Sequence, residues 1–234
     1  MSFIINPYRF ATGANDPYWS SVGLLLHCDG SNGSTTFTDS SSFARTVTAN
    51  GNAQVSTSVK KFGTGSVLLD GNDYLSVADA SEFDFGSGDF TVECFCYVTN
   101  TASRTIISKW TTSGQRSWYL GAGTTGFGFY FSTNGTNSTL AIALTAWPST
   151  STWFHIAVTR SGADLRLFVD GVQQGSTYNI STTSLFNGNG DVTIGDDAST
   201  NAGFTGNIDE VRITKGVARY TANFTPPSAP FPDS

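Results

Sequence analysis

The sequence predicts an all-β fold, a jelly-roll sandwich of two antiparallel sheets. Three observations predict it. Short runs rich in Val, Ile, Thr, Phe, Tyr and Trp recur along most of the chain, separated by clusters of Gly, Asn, Asp and Ser that favour turns. Helical periodicity is almost absent. Hydrophobic residues make up 38% of the chain and include 18 Phe and 5 Trp, enough apolar side chain to fill a continuous core between two sheets. At 234 residues, one sandwich domain is the expectation.

The elements follow in order. Residues 1–20 show no period and are rich in Asn, Pro, Tyr and Gly; they read as an N-terminal arm. The arm either orders on a partner through Phe3, Ile5, Tyr8, Arg9 and Phe10, or packs across the sandwich with those side chains. The domain is placed at residues 21–225, with early strands at 24–28, 66–69 and 74–77. The strand at 90–98 has a clear start, because Gly86-Ser87-Gly88-Asp89 precedes a β-branched and aromatic run. Further strands are expected at 105–109, 118–121, 127–131 and 153–160. Residues 163–169 alternate with period two, and Asp170-Gly171 follows where a two-residue hairpin turn is favoured, with 172–174 as the return strand. Strands at 192–194 and 208–214 complete the set. Lys215 to Tyr220 is expected to form one helical or 3₁₀ turn. The Pro-rich segment 226–234 reads as an extended tail, since proline has no amide hydrogen for a ladder.

Composition excludes several functions. Only 13% of residues are charged, and the net charge of -6 includes no cluster of Lys or Arg, so the footprint needed to neutralise phosphates is missing and nucleic acid is not expected as a partner. The longest apolar runs are a few residues, far short of the ~20 that span a bilayer, so no membrane partner is expected. The N-terminus lacks the basic and apolar regions of a signal peptide, and Sec export is not expected. Cys28, Cys94 and Cys96 read as reduced core residues rather than a disulfide framework. A Cys-x-Cys metal pair lacks a second ligand pair at suitable spacing.

Glycosidase chemistry on a sandwich needs paired carboxylates. Glu82-Phe83-Asp84 begins such a pattern, but Gly86 and Ser87 stand where the third carboxylate is required. Glu93 and Glu210 read as surface or salt-bridged residues. His27 and His155 are the only histidines, no Gly-x-Ser-x-Gly elbow is present, and His155 beside Trp153 and Phe154 reads as packing. The chain is expected not to be an enzyme.

Four stretches read together: Gly65-Ser66-Val67-Leu68-Leu69-Asp70-Gly71-Asn72-Asp73-Tyr74-Leu75-Ser76-Val77, Phe90-Thr91-Val92-Glu93-Cys94-Phe95, Trp153-Phe154-His155-Ile156-Ala157-Val158-Thr159-Arg160, and Gly206-Asn207-Ile208-Asp209-Glu210-Val211-Arg212-Ile213. In that order, with the Val169-Asp170-Gly171 hairpin, they resemble the laminin-G-like, concanavalin A-like lectin/glucanase superfamily. Cysteines at 94 and 96 depart from its usual residues. The ending Thr214 to Pro227 and the opening Ile5-Asn6-Pro7-Tyr8-Arg9-Phe10 resemble the variant found in structural proteins of tailed bacteriophages. That resemblance implies a virion location, capsid or tail proteins as partners, and a role as capsid decoration (head fibre) or appendage module. It is compatible with a homo-oligomer, although no trimer seam is readable. The alternative it implies is a lectin domain that adsorbs to host-surface glycans.

Two candidate sites follow. In the strand at 208–214, Asp209 shares parity with Val211 and Ile213, so it points inward if they do and then needs a partner. That partner is either a structural Ca²⁺ ion shared with Asp29 and Asp39, of the kind some relatives carry, or backbone amides, with Asp29 and Asp39 capping turns. The loop from Asp191 to Asp197 is a weaker second candidate. For carbohydrate, aromatic rings cover the apolar sugar face and amides meet its hydroxyls; Trp110, Trp118, Tyr130, Trp147 and Asn134 are the expected ligand residues, with Tyr119 and Asn137 nearby.

Overall fold

A computed structural model describes residues 15–102, 105–112, 114–123, 126–144, 147–196 and 203–234. Phe3, Ile5, Tyr8, Arg9 and Phe10 lie outside the described residues. The described chain forms fifteen strands. They are β1 (Val22–Leu26), β2 (Val47–Asn50), β3 (Gln54–Ser56), β4 (Ser66–Asp70), β5 (Tyr74–Val77), β6 (Phe90–Val98), β7 (Thr105–Trp110) and β8 (Arg116–Gly123). The set continues with β9 (Gly126–Phe131), β10 (Thr139–Leu144), β11 (Trp153–Ser161), β12 (Asp164–Val169), β13 (Val172–Asn179), β14 (Val192–Ile194) and β15 (Thr205–Lys215).

These strands build the expected all-β sandwich of two antiparallel sheets. The first has eight strands in the order β13-β12-β11-β6-β15-β4-β3, with β1 pairing the C-terminal half of β15. The second has seven, in the order β10-β9-β8-β7-β14-β5-β2. The core lies between them. Val92, Cys94 and Cys96 of β6, Ile156 and Val158 of β11 and Ile208 and Ile213 of β15 meet Leu75, Val77, Ile107, Leu120, Phe129 and Ile194 from the second sheet. All three cysteines are free and buried, as the sequence suggests.

Local chemistry explains the connections. Asp170 and Gly171 both take positive φ, 48° and 75°, which gives the primed turn whose twist matches the β12–β13 hairpin. Lys215 to Tyr220 forms no helical turn. Gly216 at φ 81° breaks the path, and Thr91 on β6 captures the segment, with Oγ1 accepting the Arg219 amide at 2.9 Å and donating to the Val217 carbonyl at 3.0 Å.

A β-bulge changes the face of half of β15. The register with β6 shifts between Asp209 and Arg212, and Glu210 between them has φ 52°. One extra residue in a strand reverses its alternation. Ile208 and Val211 therefore both point into the core, while Asp209 and Arg212 point outward opposite Phe95 and Glu93. The inward placement of Asp209 expected from simple parity is corrected by this bulge.

The outward face of the first sheet is covered by both ends of the described chain. Asp16 is buried, and its amide donates to the Ser234 carbonyl at 2.7 Å. Phe231 is buried beside Phe95, and the Arg212 guanidinium lies 3.8 Å from the Phe231 ring centroid. The packed domain thus extends to Asp16 at one end, inside the expected arm, and through Ser234 at the other, where the expected tail lies against the sheet.

Candidate functional site: the outer face of the second sheet

Strand alternation builds one face of mixed aromatic and hydroxyl character. Val47 and Ala49 of β2, Leu75 and Val77 of β5, Val192 and Ile194 of β14, Trp118 and Leu120 of β8, and Phe129 and Phe131 of β9 pack against or within the core. Their neighbours Thr48, Asn50, Tyr74, Ser76, Thr193, Tyr119 and Tyr130 therefore face outward. On β7, Ser108 pairs with Thr193 and Tyr119 and shares their face.

The polar half is a hydrogen-bonded row. Asn50 Nδ2 donates to Ser76 Oγ at 3.0 Å, and Ser108 Oγ and Thr193 Oγ1 lie 2.9 Å apart. The other half is aromatic. Trp110 and Tyr119 rings meet edge to face at 6.0 Å, and Tyr119 and Tyr130 do so at 5.6 Å. The Arg116 guanidinium lies 5.5 Å from the Trp110 ring. Thr105 Oγ1 donates to Tyr119 OH at 3.3 Å, and Tyr119 OH donates to the Ala122 carbonyl at 3.0 Å, which fixes the ring. Exposure falls across the face, from exposed Thr48 through half-buried Asn50, Tyr74 and Ser76 to buried Ser108, Thr193, Tyr119 and Tyr130. At its accessible end Thr48, Asn50, Tyr74 and Ser76 offer donors and acceptors for a polyhydroxylated ligand, while Ser108 and Thr193 satisfy each other beneath the surface and link that end to the aromatic rings.

The structure sorts the expected ligand residues. It brings Trp110 and Tyr130 together through Tyr119. Trp118 is corrected to a core residue: it is 0% exposed, stacks on Phe85 and donates from Nε1 to the Phe83 carbonyl at 3.1 Å. Trp147 packs against the core on Phe127 and Phe204, at 4.3 and 6.0 Å between ring centroids. Asn134 closes a turn, its Oδ1 accepting the Thr136 and Asn137 amides at 2.9 Å each. That turn touches the aromatic end of the face through Arg116, which donates to the Thr136 carbonyl at 2.7 Å. Asn50, Tyr74, Ser76, Ser108 and Thr193 were missed. For Ser76 and Thr193 the signal was a hydroxyl flanked on both sides by inward apolar residues; Asn50, Tyr74 and Ser108 have such a neighbour on one side only.

The three aspartates expected at a calcium site do not converge. Asp29 accepts the amides of Thr64 and Gly65 on Oδ1. Asp39 accepts the amides of Leu25, Ser41 and Arg45. Asp209 Oδ2 accepts the amides of Lys61 and Phe62 at 2.8 and 3.1 Å. Asp29 and Asp209 thus hold adjoining residues of the 61–65 loop while Asp39 holds backbone elsewhere, and Asp209 Oδ1 is buried without a hydrogen-bond partner. Among the described residues no three or more His, Cys, Asp or Glu side chains are grouped as a metal site. Asp197, the end of the second candidate loop, lies outside the described residues. Burial pushes the Asp209 carboxyl up to about 7, against the opposing effect of the Phe62 and Lys61 amides.

The remaining acids are also engaged. Glu93 is wholly buried on the outer face of the first sheet, where Oε1 accepts from Arg212 Nε at 2.9 Å and Oε2 accepts from Tyr220 OH at 2.8 Å and meets His155 Nε2 at 3.1 Å. Burial alone would raise its pKa, but Arg212, His155 and Arg219 outweigh that and hold the carboxyl well below the usual range. Asp16 completes the cluster through Arg219 at 2.7 Å and Arg212 at 3.1 Å. Glu210 Oε2 accepts the Phe231 amide at 2.8 Å, and Oε1 pairs with His27 at 2.9 Å. Of the failed catalytic pattern, Glu82 pairs with Arg45 and Asp84 with Lys109.

A family model described as the concanavalin A-like lectin/glucanases superfamily matches residues 69–219. No match was found among the curated proteins. Among solved structures, the chain is similar to the binding domain of Paraclostridial Mosquitocidal Protein 1, with TM-score 0.65, 13% identity, and coverage of 86% of this chain and 50% of that one. It is similar to domain 4 of AbnA, a GH43 extracellular arabinanase from Geobacillus stearothermophilus, in complex with arabinotriose, with TM-score 0.61, 17% identity and coverage of 85% and 94%. It is also similar to the binding domain of Botulinum neurotoxin DC in complex with rat synaptotagmin II, with TM-score 0.58, 14% identity and coverage of 86% and 49%. At these identities the likeness is one of fold. The chain spans about half the length of the two toxin binding domains and nearly all of the arabinanase domain.

Proposed function

This chain belongs to the concanavalin A-like lectin/glucanase superfamily, and on that premise we propose that it is a non-catalytic, lectin-like module that binds carbohydrate on the outer face of its second sheet. The carrying observation is that the half-buried Asn50, Tyr74 and Ser76 share one sheet face with the Trp110, Tyr119 and Tyr130 rings, the buried Ser108–Thr193 pair lying between them. A row of neutral hydroxyl and amide groups next to aromatic rings suits a neutral sugar better than a charged ligand. The engagement of Glu82, Asp84 and Glu93 in ion pairs supports binding over catalysis. The similar arabinanase domain was solved with a sugar bound.

The resemblance of residues 214–227 to phage structural proteins supports a place on a bacteriophage virion, as capsid decoration or tail appendage, with host-surface glycans as the ligand. In this reading the segment before Asn15 attaches to capsid or tail proteins and the sandwich is displayed. Removal of residues 1–14 is then expected to abolish attachment to the particle and to leave sugar binding intact. Retained attachment would overturn the anchoring role. Sugar binding is tested by calorimetric titration of the whole chain with neutral oligosaccharides, for which saturable heat is expected and its absence counts against the reading.

A further inference from the structure

Lys109 lies on β7 opposite Trp118, on the core side of the second sheet, and its side chain is 0% exposed. Its ammonium contacts two carboxylates, Asp79 Oδ1 at 2.6 Å and Asp84 Oδ1 directly, with Asn187 Oδ1 at 3.5 Å. The acids differ in setting. Asp84 is 18% exposed and sits between Phe83 and Phe85, both buried; Asp79 is 31% exposed and open to exchange with water. The backbone on either side of Asp84 is fixed. Trp118 Nε1 holds the Phe83 carbonyl, and Phe85 stacks on Phe90 at 4.2 Å. An amine and a carboxyl group are thus held in contact by packed aromatic neighbours, an arrangement in which an intramolecular reaction gains a large effective concentration.

We propose that Lys109 and Asp84 condense to an intramolecular amide cross-link, with Asp79 carrying the protons. Asp79 first relays one ammonium proton to Asp84, which leaves a neutral amine beside a neutral carboxylic acid. The amine lone pair then attacks Asp84 Cγ and the C–N bond forms. Asp79 takes a second proton from the nitrogen and delivers it to the Asp84 hydroxyl oxygen. The C–O bond breaks and one water leaves. An ammonium and a carboxylate become one neutral amide plus water, so no oxidant, metal or other reactant is required. The product also removes two charges from a site where charge is costly to bury. The bond would tie β7 of the second sheet to the segment that leads into β6 of the first.

The test is the intact mass of the whole denatured chain, followed by peptide mapping. The expected mass is lower than the sequence mass by one water, with a branched peptide joining Asp84 to Lys109. Lys109→Met is expected to restore its full sequence mass, and Asp79→Asn to fold with the cross-link lost or greatly slowed. A wild-type chain at full sequence mass would overturn the proposal. So would a loss of one water with no branched peptide, or a loss of one ammonia with Asn187 joined to Lys109.

Discussion

Arg212 lies directly against Glu93, with Nε and Nη2 at 2.9 and 2.8 Å from the same carboxylate oxygen, because one extra residue in β15 turns it outward. Without the left-handed Glu210 the alternation from inward Ile208 would send Arg212 into the core. The bulge thus places a guanidinium where Glu93, Asp16, Arg219, His155 and Tyr220 form a buried network under the chain's two packed ends.

Glu93→Gln is therefore expected to destabilise the fold by about 3–5 kcal/mol, since removing one partner leaves a buried guanidinium uncompensated. Arg212→Met is expected to cost a similar amount. Denaturant midpoints check both, and a change below about 1 kcal/mol would show that the network is not a stability element.

Stability is expected to peak in mildly acid solution. The folded pKa of Glu93 is depressed, so its contribution is complete above its ordinary value of 4.5 and is lost as the pH falls below it. Asp209 is raised from 3.8 to about 7, so its contribution is complete below 3.8 and is lost as the pH rises through 7. For His27, burial lowers the pKa but the Glu210 hydrogen bond and charge raise it above 6.5, and its contribution is likewise lost at higher pH. Melting temperatures across the range should be highest at about pH 4, between the ordinary values of Asp209 and Glu93. Asp209→Asn should flatten the decline toward neutral pH while leaving the acid limb in place.

The tryptophans divide by face. Trp118→Ala is expected to cost about 3–5 kcal/mol through the cavity it leaves. Trp110→Ala should disturb the sugar face while costing less. Thermal melts beside binding titrations of both variants separate the roles.

Addition of a chelator is expected to leave the melting temperature unchanged, because an ion bound only by the folded state would raise it and Asp29, Asp39 and Asp209 each accept backbone amides without three acids grouping among the described residues. A drop of several degrees would place a metal elsewhere.

Much of the sandwich was legible because its central strands are long and their boundaries are chemical. Phe90 to Val98 is a β-branched and aromatic run with a Gly-rich start, and Asp170-Gly171 names its own turn. The strands β2, β3 and β10 were not read. Val-Thr-Ala-Asn and Gln-Val-Ser are short edge segments, and Thr-Leu-Ala-Ile-Ala-Leu lacks the β-branched bias of a strand.

The site was half legible. Trp110 and Tyr130 were found by residue type, but Trp118 was misplaced because type does not report face. The inward alternation of Trp118 with Leu120, and of Phe127 with Phe129 and Phe131, carried that information. The bulge at Glu210 left no such mark, since a glutamate in the left-handed region has no sequence signature, and it sets Asp209 on the face opposite Val211 and Ile213, with which simple parity groups it.

The most direct measurement is binding of the whole chain to a panel of neutral oligosaccharides, with Tyr74→Ala and Trp110→Ala alongside. The account predicts saturable binding of at least one sugar, weakened about tenfold or more in each variant, the equivalent of about 1.4 kcal/mol per side chain. A folded protein that binds none of them, or one whose binding both variants leave unchanged, would contradict it.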